Sequence, residues 1–272
     1  MERLDWIAGE GFEALCGQCA TLADGPVYTL PDPTNFAVAV GKGDTARLVI
    51  VHTKAASSTL DIEVAENAKL SVVELFLGEA FVECSIRQGC GSLCEVTTAQ
   101  LASANARYRI ALDGAYARSE LDGLFLAADK EHCEIDVRVE HNAADCRSRS
   151  LVKGVAGGEA TGAFRGLVYV APGAQRTDAQ QTSRNVELSS AARIVAKPQL
   201  EIYADDVKCT HGATVGQMDD DAILYMRQRG LAEQQARRLQ MEGFVGAIAA
   251  HCAVAPVCEE LYRLIVAKLE RM

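Results

Sequence analysis

From about Phe36 to Gln217 the chain is a succession of short strand-like runs separated by small or polar corners. The runs include FAVAV, ARLVIVHT, LSVVELFLG, YRIALDG, CEIDVRVEH and FRGLVYV, and many alternate apolar with polar residues, as half-buried strands do. The corners are rich in Gly, Asn, Ala, Asp and Ser. No helical pattern of about 10–15 residues separates the runs, which excludes a doubly wound α/β fold.

The strand-and-corner units recur roughly every twenty to thirty residues, which favours a β-helix whose coils stack on one another. A β-sandwich is the alternative, because the period is irregular. Aromatic residues make up only 6% of a chain that is 49% hydrophobic. The core must therefore be built mainly from Val, Ile, Leu and Ala, which suits strands.

The two ends of the chain read differently from its middle. Residues 1–35 read as a short helical segment with the Pro-rich linker LPDPTN, and residues 36–217 as the β core. Residues 218–272 read as a helical domain, because acidic residues crowd a helix start at Asp219 and apolar residues follow at helical spacing. Two roles fit these helices: capping the end of the β core, or carrying a site for a partner.

Charge and composition exclude several classes of function. The net charge of −10 and the pI near 5.1 argue against binding to nucleic acid or to an anionic membrane. No stretch approaches the roughly 20 apolar residues of a membrane span, and the N-terminus lacks a signal-peptide pattern. A cytosolic protein is expected, with its ten cysteines mostly reduced.

The segment LEIYADDVKCTHGATVG, over Leu200 to Gly216, places a thiol, Cys209, two residues before an imidazole, His211. These side chains bind zinc, iron and iron–sulfur species well. The strand-like pattern predicts that both point to one face. A stable metal site needs about four ligands, so the segment is half of a site.

Other motifs are weaker. Cys16-Gly-Gln-Cys19 lies near the predicted N-terminal helix, without a second pair at zinc-finger spacing. The glycine-rich run GVAGGEATG lacks the ending of a phosphate-binding loop, and turns are the better reading. Asp205 and Asp206 suggest a carbohydrate-active β-helix enzyme, but neighbouring strand residues point to opposite faces. His141, at a strand end, reads as structural.

One long run resembles a known family. The segments FRGLVYV, AQRTDAQQ, SSAARIVAKPQLEIYADDVKCTHGATVG and DAILYMRQRG, in this order, resemble the SufD branch of the SufB/SufD family of SUF iron–sulfur cluster assembly scaffold proteins. The resemblance covers roughly Ala111 to Gly246. It is far more specific than a short motif, because many elements match in order.

The resemblance implies a mainly β fold, a right-handed parallel β-helix followed by a C-terminal helical domain. It implies a non-catalytic scaffold that pairs with a SufB-like paralogue through the β-helix. Its C-terminal helices would dock a SufC-like ABC ATPase, so the chain would have no ATP site of its own. His211 takes the position of the histidine implicated at the subunit interface, where it would bind the nascent iron–sulfur cluster or iron. Cys209 is the secondary metal ligand.

Two features favour the SufD branch over the SufB branch. Gly212 stands where SufB has Glu, and no Cys lies near Gln181 to Arg184, where SufB has one. Family members usually carry a longer N-terminal helical region, and only Met1 to Asn35 stand in its place here. A self-pairing homodimeric scaffold and a carbohydrate-active enzyme remain the alternatives.

Overall fold

A computed structural model of the chain describes residues 4–252 and 254–272. A 3₁₀ turn over Asp5–Ile7 is followed by strands that belong to two sheets. The first sheet contains β1 Phe12–Ala14, β3 Val27–Pro31, β5 Thr45–His52, β7 Lys69–Phe76, β9 Leu93–Gln100, β11 Arg118–Ala127, β13 Arg147–Ala156, β15 Thr177–Glu187 and β17 Val207–Gly216. The second contains β2 Cys19–Leu22, β4 Asn35–Val40, β6 Ala56–Val64, β8 Ala80–Gln88, β10 Ala104–Leu112, β12 His132–His141, β14 Thr161–Val170 and β16 Arg193–Ile202. Three helices follow: α1 Asp220–Gln228, α2 Glu233–Ala250 and α3 Ala255–Leu269.

Successive strands lie in opposite sheets, so each pair of strands makes one coil of a solenoid. Within each sheet, every neighbour is two strands away in sequence, and all pairings are parallel. Parallel pairing without intervening helices is the arrangement of a β-helix. The predicted fold class, a parallel β-helix with C-terminal helices, is confirmed, and the sandwich is excluded.

The coils lengthen along the chain. The register pairs Thr45 with Lys69 and Lys69 with Leu93, a spacing of 24 residues. Farther along, Arg147 pairs with Asp178, a spacing of 31 residues. The extra residues enter both at the corners and in the strands, which lengthen from 8 and 9 residues in β5 and β6 to 10 residues each in β13 and β14, and the strands stay in register. This growth explains why the sequence shows a loose rather than a strict repeat.

The outer face of the second sheet is exposed to solvent, whereas the outer face of the first sheet is partly covered by helices, and the burial patterns of their strands differ accordingly. Strands β6 and β8 alternate buried with exposed residues, because one face lines the interior and the other faces solvent. Strand β7, KLSVVELF, is buried almost throughout. Its interior face packs between the sheets, and its outer face packs under helices α2 and α3.

A corner of left-handed backbone precedes each first-sheet strand from β5 to β15. At these six corners the residues with positive φ are Gly43, Asn67, Gly91, Tyr116, Asp145 and Arg176. The N–H of Arg176 donates to the carbonyl of Asp206 at 2.6 Å, and its guanidinium donates to both carboxylate oxygens of Asp145 at 2.6 and 2.7 Å. The corners therefore stack as a ladder and align the strands that follow them.

Helices α2 and α3 lie along the outer face of the first sheet and do not cap the last coil. Val245, Ile248, Leu261 and Leu264 are buried against that face, in a cluster that includes Leu124 of β11. The capping role considered above is therefore wrong for α2 and α3. An amphipathic stripe shows that a helix buries one side but not which surface receives it. No helix in the described ranges is long and apolar enough to cross a membrane.

The prediction of a helical segment at the N-terminus is wrong. Apart from the Asp5–Ile7 turn, the described residues before β4 form strands that join both sheets. Cys19–Leu22 pairs with Ala37–Val40, and Val27–Pro31 pairs with β5. Pairing with the adjacent coil overrides the weak local helix propensity of this segment.

Candidate metal or cluster site at the open end of the β-helix

The β-helix ends in a coil that nothing in the described part of the chain covers. Strand β17 is the terminal strand of the first sheet and pairs with β15, and β16 is the terminal strand of the second sheet and pairs with β14. Each spans ten residues, so each presents a row of unpaired backbone groups along its free edge. We call this end of the solenoid the open end.

Cys209 and His211 occupy adjacent inward-facing positions of β17. The register pairs Cys209 with Ala179 and His211 with Gln181, and both partners are buried in the interior. Thr210, between them, pairs with the exposed Gln180 on the outer face. The register thus places the thiol and the imidazole on one face, at the end of the interior.

The exposure of these two residues follows from the missing next coil. His211 is exposed and Cys209 is half-buried, although equivalent positions one coil earlier are fully buried. Partial burial raises the pKa of the Cys209 thiol, with a smaller contribution from Asp178. A raised pKa keeps the thiol protonated at neutral pH, and metals bind the thiolate. Of the two, His211 is therefore the readier ligand.

Apolar residues are also exposed at the open end. Ile202 and Val215 face inward like the core residues below them, yet they are 39% and 44% exposed. Tyr203, just beyond β16, is 58% exposed, and its ring lies 5.7 Å from that of Tyr169. Exposed apolar residues beside free strand edges are typical of a surface that another chain covers.

The interior directly below His211 is polar. The inner face of β15 carries Gln181, Ser183 and Asn185. Asn185 donates to the Ser183 hydroxyl at 2.9 Å and to the Thr214 carbonyl at 3.0 Å. Gln181 is fully buried, and both its amide oxygen and its amide nitrogen lack a hydrogen-bond partner among the described residues. The sequence analysis noted Gln181 only as a position without Cys, although the polar run QQTSRN inside a strand is a visible signal.

The ligands of a complete metal site do not converge in this chain. Among the described residues, no three His, Cys, Asp or Glu side chains lie close enough to hold a metal ion together. Cys209 and His211 are two of the roughly four ligands that a stable metal site needs.

The acidic pair does not form a catalytic centre. Asp205 and Asp206 lie in the turn between β16 and β17, not on a strand as the sequence pattern suggested. The N–H of Asp206 donates to the Gln175 side chain at 2.9 Å, and its carbonyl accepts from Arg176. The two residues stabilise a corner, which leaves the carbohydrate-active alternative without a site at these carboxylates.

The remaining motifs have structural explanations. Cys16 and Cys19 are exposed; Cys16 lies between β1 and β2 and Cys19 begins β2, so neither is in a helix. The glycine-rich run forms the end of β13, a turn and the start of β14. A Cβ at Gly154 would lie 1.9 Å from the Phe125 ring and one at Gly162 would lie 2.4 Å from it, so these glycines make room for a core aromatic residue.

The sequence of this chain matches a known protein family and several of its members. The profile described as "SUF system FeS cluster assembly, SufBD core domain" matches residues 32–244. Escherichia coli iron-sulfur cluster assembly protein SufD is 41% identical over 133 residues, which are 49% of this chain and 31% of that protein. An iron-sulfur cluster assembly SufBD family protein of Mycobacterium leprae is 36% identical over 171 residues, 60% of this chain and 43% of that protein.

A third relative, from Synechocystis, is also described as an iron-sulfur cluster assembly SufBD family protein. It is 39% identical over 131 residues, 48% of this chain and 29% of that protein. The chain therefore spans less than half of the length of each of these relatives. The profile match covers most of the β-helix, the open end with Cys209 and His211, and the first two helices up to Phe244. The chain belongs to the SufBD family of SUF iron–sulfur cluster assembly proteins.

Proposed function

We propose that this chain is a non-catalytic scaffold subunit of a SUF complex, and that its open end is one half of a shared assembly site. His211, with Cys209 as a secondary ligand, binds iron or the nascent cluster there, and the remaining ligands come from the partner chain. The single observation that carries this proposal is the inward-facing His211 on a terminal strand that no coil in the described ranges covers. The cluster is cargo in this scheme and leaves with the recipient protein.

The partner at the open end is a SufB-like paralogue. Strands β16 and β17 offer two free edges, and a strand from another chain satisfies such an edge by backbone hydrogen bonding. Burial of Ile202 and Val215 adds an apolar contribution of about 25 cal/mol for each Å² removed from water. A chain that supplies both contacts would also enclose His211, which excludes water from the site.

The C-terminal helices dock a SufC-like ABC ATPase. Leu224 and Tyr225 of α1 and Leu239 of α2 are each more than half exposed, on helices whose other sides pack against the protein. Exposed apolar residues on adjacent helices are typical of a protein–protein contact. Because α2 and α3 pack directly on the first sheet, movement of the helices is mechanically connected to the strands that lead to β17.

Two substitutions separate the two docking surfaces. The test is co-expression of this chain with a SufB-like and a SufC-like subunit, followed by affinity purification through the chain. Val215→Lys places a charge at the open end, so the paralogue should be lost while the ATPase remains. Leu224→Lys changes α1, so the ATPase should be lost while the paralogue remains. Both residues are exposed, so each variant should fold and serves as the control for the other.

The outcome also decides between a heterodimer and a homodimer. If the purified chain alone forms a dimer that Val215→Lys dissociates, the open end pairs with a second copy. Retention of neither subunit by the unmodified chain would contradict the scaffold proposal.

A further inference from the structure

The residue paired with His211 in the β15–β17 ladder is Gln181. Its side-chain amide forms no hydrogen bond with the described residues. Adjacent parallel strands lie about 4.8 Å apart, so paired inward-facing side chains are immediate neighbours. The register pairs Gln181 directly with His211. Both side chains point into the interior, where the imidazole has the open end above it and the amide below it.

Gln181 is fully buried, yet neither its amide oxygen nor its amide nitrogen has a partner among the described residues. Buried amides almost always form hydrogen bonds, because an unpaired one loses its hydration without compensation. Asn185 on the same inner face differs in part, because its amide nitrogen donates to Ser183 and to the Thr214 carbonyl, and only its amide oxygen is without a partner among the described residues. An unpaired amide beside an exposed imidazole therefore needs an explanation that packing does not supply.

The opposite sheet makes space for this amide. A Cβ at Gly166 of β14 would lie 2.5 Å from the amide carbon, oxygen and nitrogen of Gln181. Only glycine at residue 166 therefore allows the side chain to extend across the interior in its observed position. The long side chain can swing from this position toward the open end, because its three rotatable bonds allow the amide to move while the backbone stays fixed.

We propose that Gln181 is the positioning residue of the His211 site. Its amide oxygen accepts a hydrogen bond from one imidazole N–H of His211, which leaves the other ring nitrogen without a proton and free to bind the cargo. Histidines that bind metals generally donate their second N–H to an oxygen, which fixes the tautomer and the orientation of the ring. This inference rests on the proposed function for the role of the free nitrogen, but the hydrogen bond belongs to this chain alone.

The direct test is the tautomer of His211, measured by ¹⁵N NMR of the imidazole nitrogens in the full chain labelled at histidine. Gln181→Met keeps the length of the side chain and removes its hydrogen-bonding atoms. The unmodified chain should show one dominant neutral tautomer, and Gln181→Met should shift the ring toward the mixture found in solvent-exposed histidines. Gln180→Met, the same change on the outer face of the same strand, should leave the His211 signals unchanged. An unchanged tautomer in Gln181→Met would overturn the inference.

A second readout keeps this inference separate from the proposed function. In the complex with its partner subunits, Gln181→Met should weaken iron binding by about tenfold or more, the range typical for losing a hydrogen bond that supports a metal ligand. If the tautomer changes with Gln181→Met but His211→Ala leaves the bound iron unchanged, the hydrogen bond stands and the proposed function fails. If His211→Ala removes the bound iron but Gln181→Met leaves the His211 tautomer unchanged, the proposed function stands and the role proposed for Gln181 is contradicted.

Discussion

Lys268 of α3 donates to both carboxylate oxygens of Glu131, at 2.7 and 2.6 Å, and so joins the last helix to the corner between β11 and β12. The lysine side chain is only 10% exposed and the glutamate 28%. A second lysine also joins a helix to the first sheet: Lys153 of β13 donates to the Phe244 carbonyl in α2 at 2.6 Å. Together these lysines hold the helical domain against the first sheet.

Lys268→Met should loosen α3 from the β-helix. The substitution leaves the partly buried Glu131 carboxylate without its cation, which should cost about 1–3 kcal/mol of the free energy of unfolding, between a surface pair and a buried one. Hydrogen exchange of the α3 amides should accelerate more than exchange in the strands. Lys130→Met is the matched control, because its ion pair with Glu159 is 4.0 Å long and mostly exposed. Equal changes in unfolding free energy and in α3 hydrogen exchange for the two variants would show that the Lys268–Glu131 contact does not stabilise the packing of α3.

The pH dependence of stability should contain a step from His141. This residue ends β12, is fully buried, and its Nε2 lies 2.8 Å from the Ser148 hydroxyl. Burial lowers its pKa from 6.5 to about 4. A folded-state pKa below the unfolded one means that the unfolded chain takes up the proton first as the pH falls. The contribution of His141 to stability is thus complete above pH 6.5 and is lost between pH 6.5 and about 4.

At about 1.4 kcal/mol for each unit of pKa, the loss across this window is about 3 kcal/mol. His141→Gln should flatten the curve of unfolding free energy against pH between 6.5 and 4, as measured by denaturant titration at each pH. His132→Gln, at the exposed start of the same strand, should leave the slope unchanged. A slope that survives His141→Gln would assign the acid sensitivity to other groups.

Tyr108→Phe should destabilise the β-helix through a buried polar network. The Tyr108 hydroxyl lies 2.5 Å from Glu74 Oε2 and 2.8 Å from Thr98 Oγ1, and His52 Nε2 lies 2.8 Å from Glu74 Oε1. Burial and the Glu74 carboxylate raise the pKa of Tyr108 well above its usual value, so the phenol keeps its proton. Removal of the hydroxyl leaves a buried carboxylate oxygen short of its donor, a loss of about 1–3 kcal/mol.

Chemical denaturation of Tyr108→Phe measures that loss. Tyr203→Phe provides the control, since Tyr203 is 58% exposed and its hydroxyl is free to bond with solvent. A Tyr108→Phe variant as stable as this control would mean that the network contributes nothing to the core.

Alternation predicted the strands wherever one face meets solvent, as in β6 and β8, and the recurrence of strand and corner together with the family resemblance predicted the β-helix. These patterns failed at the N-terminus, where short strands such as Cys19–Leu22 exist only through pairing with the next coil. The helical stripes predicted α1 to α3 but not the surface that α2 and α3 cover. That surface explains the nearly continuous burial of β7, whose outer face they cover.

The same limits apply to the site. Strand periodicity predicted that Cys209 and His211 share a face, because this depends on neighbours in sequence. Gln181 lies thirty residues before His211 in the sequence. Their pairing cannot be predicted from a fixed repeat, because the length of the coil changes along the chain. That this amide is buried and unpaired depends on the packing around it, including Gly166 of the opposite sheet, and not on its neighbours in sequence.

The iron and acid-labile sulfide bound by the complex of this chain with its SufB-like and SufC-like partners test the central claim most directly. His211→Ala should leave the three-subunit complex intact and lower the bound iron and sulfide at least about tenfold. Thr210→Ala, one residue away on the outer face of β17, should bind as much iron and sulfide as the unmodified chain. Equal iron and sulfide in the two variants would contradict the assignment of His211 to a shared assembly site.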